Sequence, residues 1–335
     1  MDLNKDSIVI PAKMFPGFRT SAAVETGVER NLLLTTWGGI GDQVCAEPTL
    51  RYALEQFGKD VEISLATHIP EMFRHLKFKE VFDLNKVKPV EENYLVFHTI
   101  AEQNDLSWQF LNHCIINCVD YPSLSAFKCT LPIKAKEVKL VPRPIELPDD
   151  VRVVVHPGKH WPTKTFPKSW WDELLTYLLG LGFKPIIIGK NMEDNRGTVD
   201  VCTDGCLDLR DKLDLNGLAH LLQNAHVILT NDSSPIHIGA SGSAFIGYVA
   251  TCKHPDYLTH WRKGEWGWRM KNFGRGGIWE NLSHLPNHTR EVTVDNCEPE
   301  QLKAWLPEPI ALAEWTIESS LAYAKELRVG NEELN

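Results

Sequence analysis

The 335-residue chain contains no apolar run of about 18 residues, so no membrane-spanning helix is expected. Low-complexity runs and internal repeats are also missing, which excludes solenoid and array architectures. An excess of positive charge is lacking. The formal net charge of −9 argues against a general nucleic-acid binder, whose affinity rests on neutralising phosphates, although a local basic patch stays open. Met1 to Ile10 carry Asp2, Lys5 and Asp6 without a long apolar core. No secretory leader is therefore expected, and the chain is expected in the cytoplasm. Eight cysteines in such a chain are expected to be reduced. Cys114 with Cys118, and Cys202 with Cys206, have a spacing that fits one helix face. Neither pair has a second His or Cys pair nearby to complete a tetrahedral site, so no metal and no other cofactor is expected.

What is present is the 43% apolar and 24% charged content of a globular protein, long enough for two domains with a core each. Residues 1–30, with Pro11, Pro16, Gly17 and Gly27, read as an irregular leader. Apolar, partly β-branched strands then alternate with amphipathic helices. Asn31 to Trp37, Val61 to Ala66, Val81 to Asp83 and Tyr94 to Phe97 read as strands. One helix runs through Leu50, Ala53, Leu54 and Phe57 to Gly58, and a short one covers Glu71 to Leu76. This alternation predicts an open, mostly parallel α/β sheet over 31–145. Pro132, Pro142, Pro144 and Pro148 make the stretch from Leu131 to Pro148 a linker. The alternation restarts over 150–308. Strands are expected at Val151 to Val155, Pro185 to Ile188, Val227 to Leu229 and Ala244 to Ala250, with helices at Ser169 to Leu179 and Leu213 to Gln223. A C-terminal helix is expected over 309–327, packing back on the first domain. The fold class is thus α/β, with two Rossmann-like domains facing a cleft and ligands at the carboxyl ends of the strands.

Three strand-to-helix turns carry candidate chemistry. Trp37-Gly38-Gly39-Ile40-Gly41-Asp42 lets the backbone approach a ligand closely. Its glycine spacing is not the dinucleotide fingerprint, and no Lys-Ser/Thr pair follows to make a P-loop. Asp42 at its tip either caps the helix or acts as a general base. The second turn runs from His156-Pro157-Gly158 to Phe166-Pro167 and offers Lys159, Lys164 and Lys168. Cations there suit a departing phosphate, and the alternative is a solvated basic loop. The third is Asn231-Asp232-Ser233-Ser234-Pro235-Ile236-His237, where a helix start presents unpaired N–H groups and a positive dipole end. An ordinary capped helix with a satisfied histidine is the bland reading.

Together and in this order, the three turns resemble the heptosyltransferase-like (family 9) glycosyltransferases. The resemblance covers roughly residues 31–58 and 151–250. It implies a GT-B architecture and inverting, metal-independent transfer of a sugar from a nucleotide-diphosphate sugar. It implies Asp42 as the base that deprotonates the acceptor hydroxyl and Lys164 as the lysine facing the donor phosphates. Gly38, Gly39, Gly41, His156, Asp232, Ser233, Ser234 and His237 are then donor-binding. The family usually has Gly where this chain has Ser234, and a β-carbon there narrows or shifts the diphosphate site. The implied acceptor is the hydroxyl of a glycan or lipopolysaccharide-type saccharide.

A further stretch, Thr259 to Gly277, sets Trp261, Trp266 and Trp268 among five basic residues, with Glu265 the one acid. Tryptophans beside cations stack on sugars or bases, so Trp261, Arg262, Trp266, Trp268 and Arg269 are candidate contacts to the acceptor or donor base. A loop packed by its own aromatics is the alternative. This stretch keeps open a rival activity, glycosylation of a hydroxylated base in DNA. A non-catalytic nucleotide-sugar binding module is the third reading.

Overall fold

The computed structural model describes residues 31–100, 117–127, 129–160, 162–191, 197–251, 255–274 and 299–332. The leader over residues 1–30 lies outside them, as do Cys114, Trp161 and Arg275. The chain divides into two compact units, Met1–Val141 and Pro142–Asn335, each built on a parallel sheet. Among the described residues no helix is long and apolar enough to cross a membrane.

In the first unit β1 (Asn31–Thr36), β2 (Ile63–Thr67), β3 (Val81–Asp83) and β4 (Tyr94–His98) pair in the order β3-β2-β1-β4, all parallel. Leu33 and Leu34 of β1 are fully buried, as befits a central strand covered on both faces. The single helix expected after β1 is two, α1 (Ile40–Cys45) and α2 (Glu47–Phe57), joined at Ala46. Pro48 is the reason, because it has no N–H to give the Val44 carbonyl one turn back. The stretch expected as a short helix over 71–76 is a single 3-10 turn, Pro70–Phe73. A further helix, α3, spans Asp120–Phe127.

The proline-rich stretch from Leu131 to Pro148 is divided rather than left as a free connector. Arg51 donates to the carbonyls of Ala135 at 3.1 Å and Glu137 at 2.7 Å, and the fully buried Glu47 accepts the Lys139 N–H at 2.8 Å. These contacts bind residues 135–139 into the first unit. Beyond the break, the Ile145 N–H donates to His220 Nδ1 at 3.2 Å within the second unit.

The second unit contains β5 (Val153–His156), α4 (Lys168–Gly180), β6 (Ile186–Ile187), β7 (Leu207–Asp208), α5 (Leu215–Gln223), β8 (Val227–Asn231), α6 (Ser234–Gly239), β9 (Phe245–Val249) and the short α7 (Pro255–Leu258). After these come β10 (Trp261–Arg262), β11 (Glu265–Trp266), β12 (Met270–Asn272), α8 (Pro299–Trp305) and α9 (Pro309–Glu332). The parallel sheet runs β12-β9-β8-β5-β6-β7. Counted from β5, this is the doubly wound order 3-2-1-4-5-6 of a dinucleotide-binding fold. Strand order therefore reverses between β5 and β8, and ligands of such sheets bind outside the carboxyl ends at that point. The first sheet has the matching order 3-2-1-4, with its reversal between β1 and β4.

The core of the second unit joins Val153, Val155, Ile187, Val227 and Leu229 of the sheet to Trp170, Trp171, Leu174, Leu175 and Leu178 of α4. Leu312, Ala313 and Ile317 of α9 belong to this same core. The C-terminal helix lies on the second sheet, where its apolar stripe meets the apolar face of β8 and β9, and Trp170 Nε1 donates to the Pro307 carbonyl at 2.8 Å just before it.

Candidate functional site

The carboxyl ends of β5 and β8 bring the second and third turns together. Asp232 and Lys164 form an ion pair, Nζ to Oδ2 2.7 Å, with both side chains almost wholly buried. Lys164 sits in a 3-10 turn, Pro162–Lys164, whose position is fixed from both sides. The Phe166 ring stacks on Trp171 at 5.7 Å and 14° in the core, and Thr251 Oγ1 donates to the Thr163 carbonyl. The basic loop is thus not a solvated excursion at Lys164. Lys168, by contrast, is an exposed first residue of α4 that pairs with Asp172, and Lys159 is partly exposed.

His156 ends β5 and turns its Nδ1 to Ser233 Oγ at 3.0 Å and Thr230 Oγ1 at 3.3 Å. Burial lowers its pKa from 6.5 to about 4, partly opposed by a hydrogen bond that the ring donates to the Asn231 side chain. The imidazole is therefore neutral at pH 7. The unfolded chain takes up this proton near 6.5 and the folded chain only near 4. The unfolded state thus binds more protons within that window, and stability falls as pH drops through it. Urea unfolding measured against pH should show this loss, and a His156→Gln variant should lack that component. Gly158 is needed beside His156, because a β-carbon there would lie 2.6 Å from His156 Cε1 and 2.8 Å from Asn231 Oδ1.

Asn231 was not singled out among the sequence candidates, although it sits inside the third motif. It is 1% exposed and its amide is bonded on both ends. Nδ2 donates to the carbonyls of Gly158 at 2.9 Å and Lys164 at 2.7 Å, and Oδ1 accepts from Ser233 Oγ at 2.8 Å. Ser233 is the N-cap of α6, with extended backbone at φ −158° and ψ 174°. Ser234 takes the first helical position with an ordinary negative φ. The turn therefore does not need glycine's conformational freedom at 234, and the serine's effect is confined to the room its side chain takes. His237 is buried with its Nδ1 2.8 Å from His260 Nε2.

At the edge of the first sheet, Gly38 has φ +90°, a conformation that glycine alone adopts without strain. Gly39 is the N-cap of α1, and its N–H donates to Asp42 Oδ2 at 3.0 Å. Asp42 therefore does cap its helix, from an exposed position. One N–H leaves most of a carboxylate's accepting capacity unused, so capping and proton abstraction are compatible. Gln43 locks the turn by donating to the Gly38 carbonyl at 3.1 Å and accepting from Thr67 Oγ1 at 2.7 Å. His98, another residue outside the sequence candidates, ends β4 across from Thr35, with Nδ1 2.6 Å from Thr35 Oγ1. It stands at the reversal point of the first sheet.

The aromatic-basic stretch is largely packed on itself. Lys263 and Gly264, at φ +50° and +92°, close a two-residue hairpin between β10 and β11 of the type that requires positive φ at both central positions. Arg262 is buried, and its guanidinium donates to the carbonyls of Gly242 at 2.5 Å and Trp268 at 3.2 Å. Arg269, also at positive φ, lies 3.7 Å from the Trp268 ring and 3.6 Å from Tyr323, and donates to the Ser243 carbonyl at 2.7 Å. Trp261 and Trp266 meet edge to face at 5.5 Å, and Trp266 is 42% exposed. Of the five candidate contacts in this stretch, Trp266 is the one that presents a large surface to solvent.

Each unit also holds one buried pair with ligand chemistry. Cys45 and Cys118 lie within 4.8 Å of each other in the first, where burial pushes the Cys45 thiol up. His237 and His260 are the pair in the second.

Comparison with known proteins bears on these turns. The model of the family described as Glycosyltransferase family 9 (heptosyltransferase) matches residues 75–244, just over half of the chain. No relative among curated proteins matches. The chain is similar in structure to a family 9 glycosyl transferase from Veillonella parvula DSM 2008, at 13% identity and a TM-score of 0.60, over 88% of this chain and 98% of that one. It is also similar to TibC, an iron-containing dodecameric glycosyltransferase from enterotoxigenic E. coli H10407, at 15% identity and a TM-score of 0.57, over 87% and 77% of the two chains. A second TibC structure, in complex with ADP-D-beta-D-heptose, aligns at 14% identity with a TM-score of 0.60, over 90% and 83%. At these identities the likeness is one of fold.

Proposed function

The chain belongs to glycosyltransferase family 9, the heptosyltransferase family, with the GT-B architecture of two parallel α/β units, and we propose that it transfers a heptose-type sugar from an ADP-sugar to a saccharide hydroxyl, with inversion. The observation that carries this reading is the buried Lys164–Asp232 pair at the β5/β8 reversal point, where a nucleotide diphosphate belongs in a doubly wound sheet. Support for the donor comes from the ADP-heptose complex of TibC.

In this mechanism the acceptor oxygen attacks the anomeric carbon from the face opposite the diphosphate. Asp42 of the first unit takes the hydroxyl proton as the new C–O bond forms. The bond from the anomeric carbon to the diphosphate oxygen breaks, and ADP leaves with both electrons. In the second unit the Lys164 ammonium and the first-turn amides of α6 face the growing negative charge. The Asp232 carboxylate is not a phosphate ligand. Its role is to hold the ammonium, since a second anion against the diphosphate would be repelled. The proposed step uses no metal ion, because Lys164 supplies the cation. Arg262 and Arg269 spend their guanidinium groups on the chain's own carbonyls and rings, which favours a saccharide acceptor over a DNA backbone. A saccharide needs a stacking surface such as Trp266 rather than a row of cations.

The test is product stereochemistry. With ADP-D-beta-D-heptose and a lipopolysaccharide-core saccharide as acceptor, proton NMR of the product should show a newly formed α linkage. A β linkage would rule out the direct displacement.

A further inference from the structure

We infer that Asn231 is the positioning residue of the donor site, acting as a three-way clamp that aims Lys164 and Ser233; this rests on the donor reading above. The side chain touches no substrate in that reading. It ties together three separate pieces of the second unit. Its two N–H bonds go to the Gly158 and Lys164 carbonyls, which bracket the loop between β5 and α4. Its carbonyl oxygen accepts from Ser233 Oγ, at the start of α6. Both N–H groups of the amide are used and its oxygen accepts a short bond, at 1% exposure.

The consequence follows from where the bonds land. One falls on the backbone of Lys164 itself, so the amide fixes the point from which that side chain departs towards Asp232. Another reaches Gly158, whose missing β-carbon lets Asn231 Oδ1 and the His156 ring come close. The same hydroxyl that Asn231 accepts from also meets His156 Nδ1 at 3.0 Å. Loss of the amide would therefore leave two buried carbonyls without their donor and release the loop and the cap together. Displacements of about 1 Å at a reacting site cost on the order of 10²-fold in rate.

Aspartate is the informative substitution, because it keeps the shape and reverses the polarity. In Asn231→Asp an ionised carboxylate faces two carbonyl oxygens. On protonation it regains one donor, and its buried, acceptor-lined position raises its pKa. The affinity of this variant for ADP, divided by that of the wild type at each pH, should be down roughly 10²-fold at about pH 8 and recover as pH falls to about 5.5. A new negative charge near the diphosphate would weaken binding on its own, so Asn231→Ala serves as the neutral arm and should also lose at least about tenfold.

Hydrogen exchange supplies a readout that needs no ligand. Peptides covering residues 157–166 should exchange faster in both variants than in the wild type at the same pH. Leu178→Ala, a core change on α4, should lower the melting temperature without altering that loop's exchange or ADP affinity. Wild-type exchange over 157–166 in Asn231→Ala, or wild-type ADP affinity in it, would overturn the clamp. If the wild type bound no ADP, the donor reading would fail, while the exchange comparison would still decide for or against the clamp.

Discussion

Asp42→Asn is expected to lower turnover by roughly 10²–10⁴-fold, the usual contribution of a general base, while ADP affinity stays within about twofold of wild type. The asparagine retains an oxygen for the Gly39 N–H that Asp42 Oδ2 accepts at 3.0 Å, so the start of α1 keeps its cap. What it loses is the ability to take a proton. Asp42→Ala removes both functions and should add a stability loss of about 0.5–2 kcal/mol, typical of a missing cap. The two variants thus separate capping from catalysis: equal melting temperatures with unequal rates implicate the base. The comparison also separates an enzyme from a non-catalytic nucleotide-sugar module. Full turnover in Asp42→Asn would assign the base to another group, and His98 at the neighbouring strand end would be the first to test.

The second large effect concerns Lys164. In Lys164→Met the Asp232 carboxylate stays buried after its ammonium is removed, and breaking a buried pair from one side costs about 3–5 kcal/mol. Donor affinity should fall as well, because the diphosphate loses a cation and meets a carboxylate in its place. The double variant Lys164→Met/Asp232→Asn discriminates between these causes. With both charges gone it should recover most of the lost melting temperature, yet remain at least about 10²-fold down in turnover. Recovery of activity along with stability would mean that the pair only holds the fold. Asp232→Asn alone keeps the ammonium and should be the milder of the single variants.

The central strands of both sheets were legible because parallel strands covered on both faces are short apolar runs, as in Val153 to Val155 and Val227 to Leu229, whereas the two short outer strands β7 and β12 of the second sheet carry no such run. The break at Ala46 was not legible, because the apolar spacing around it is that of one helix and Pro48 interrupts it only through a missing N–H. Other features depend on chain closure. Asn231 binds carbonyls 73 and 67 residues away, and nothing in its own neighbourhood specifies which loop will pass in front of it. His98 meets Thr35 only because β4 pairs with β1 across 63 positions. Arginines beside tryptophans are equally ambiguous in sequence. Arg262 and Arg269 have the composition of a ligand-binding patch, yet their guanidinium groups are engaged within the chain. Whether a cation faces inward or outward is decided by which carbonyls come near it, and composition carries no record of that.

The same distinction applies to Ser234. Set against the family pattern, it is a departure at a position usually occupied by glycine. In the folded chain it begins α6 with an ordinary backbone, so a change in donor selectivity is the expected consequence rather than a change in the turn.

The most direct test of the account is a calorimetric titration of ADP and ADP-heptose into the wild-type protein and into the Lys164→Met/Asp232→Asn variant, with UDP, GDP and CDP as controls. The account predicts saturable binding of the adenine nucleotides to the wild type and a loss of at least about tenfold in the folded double variant. Absence of binding by every nucleotide, or equal affinity in both proteins, would contradict it.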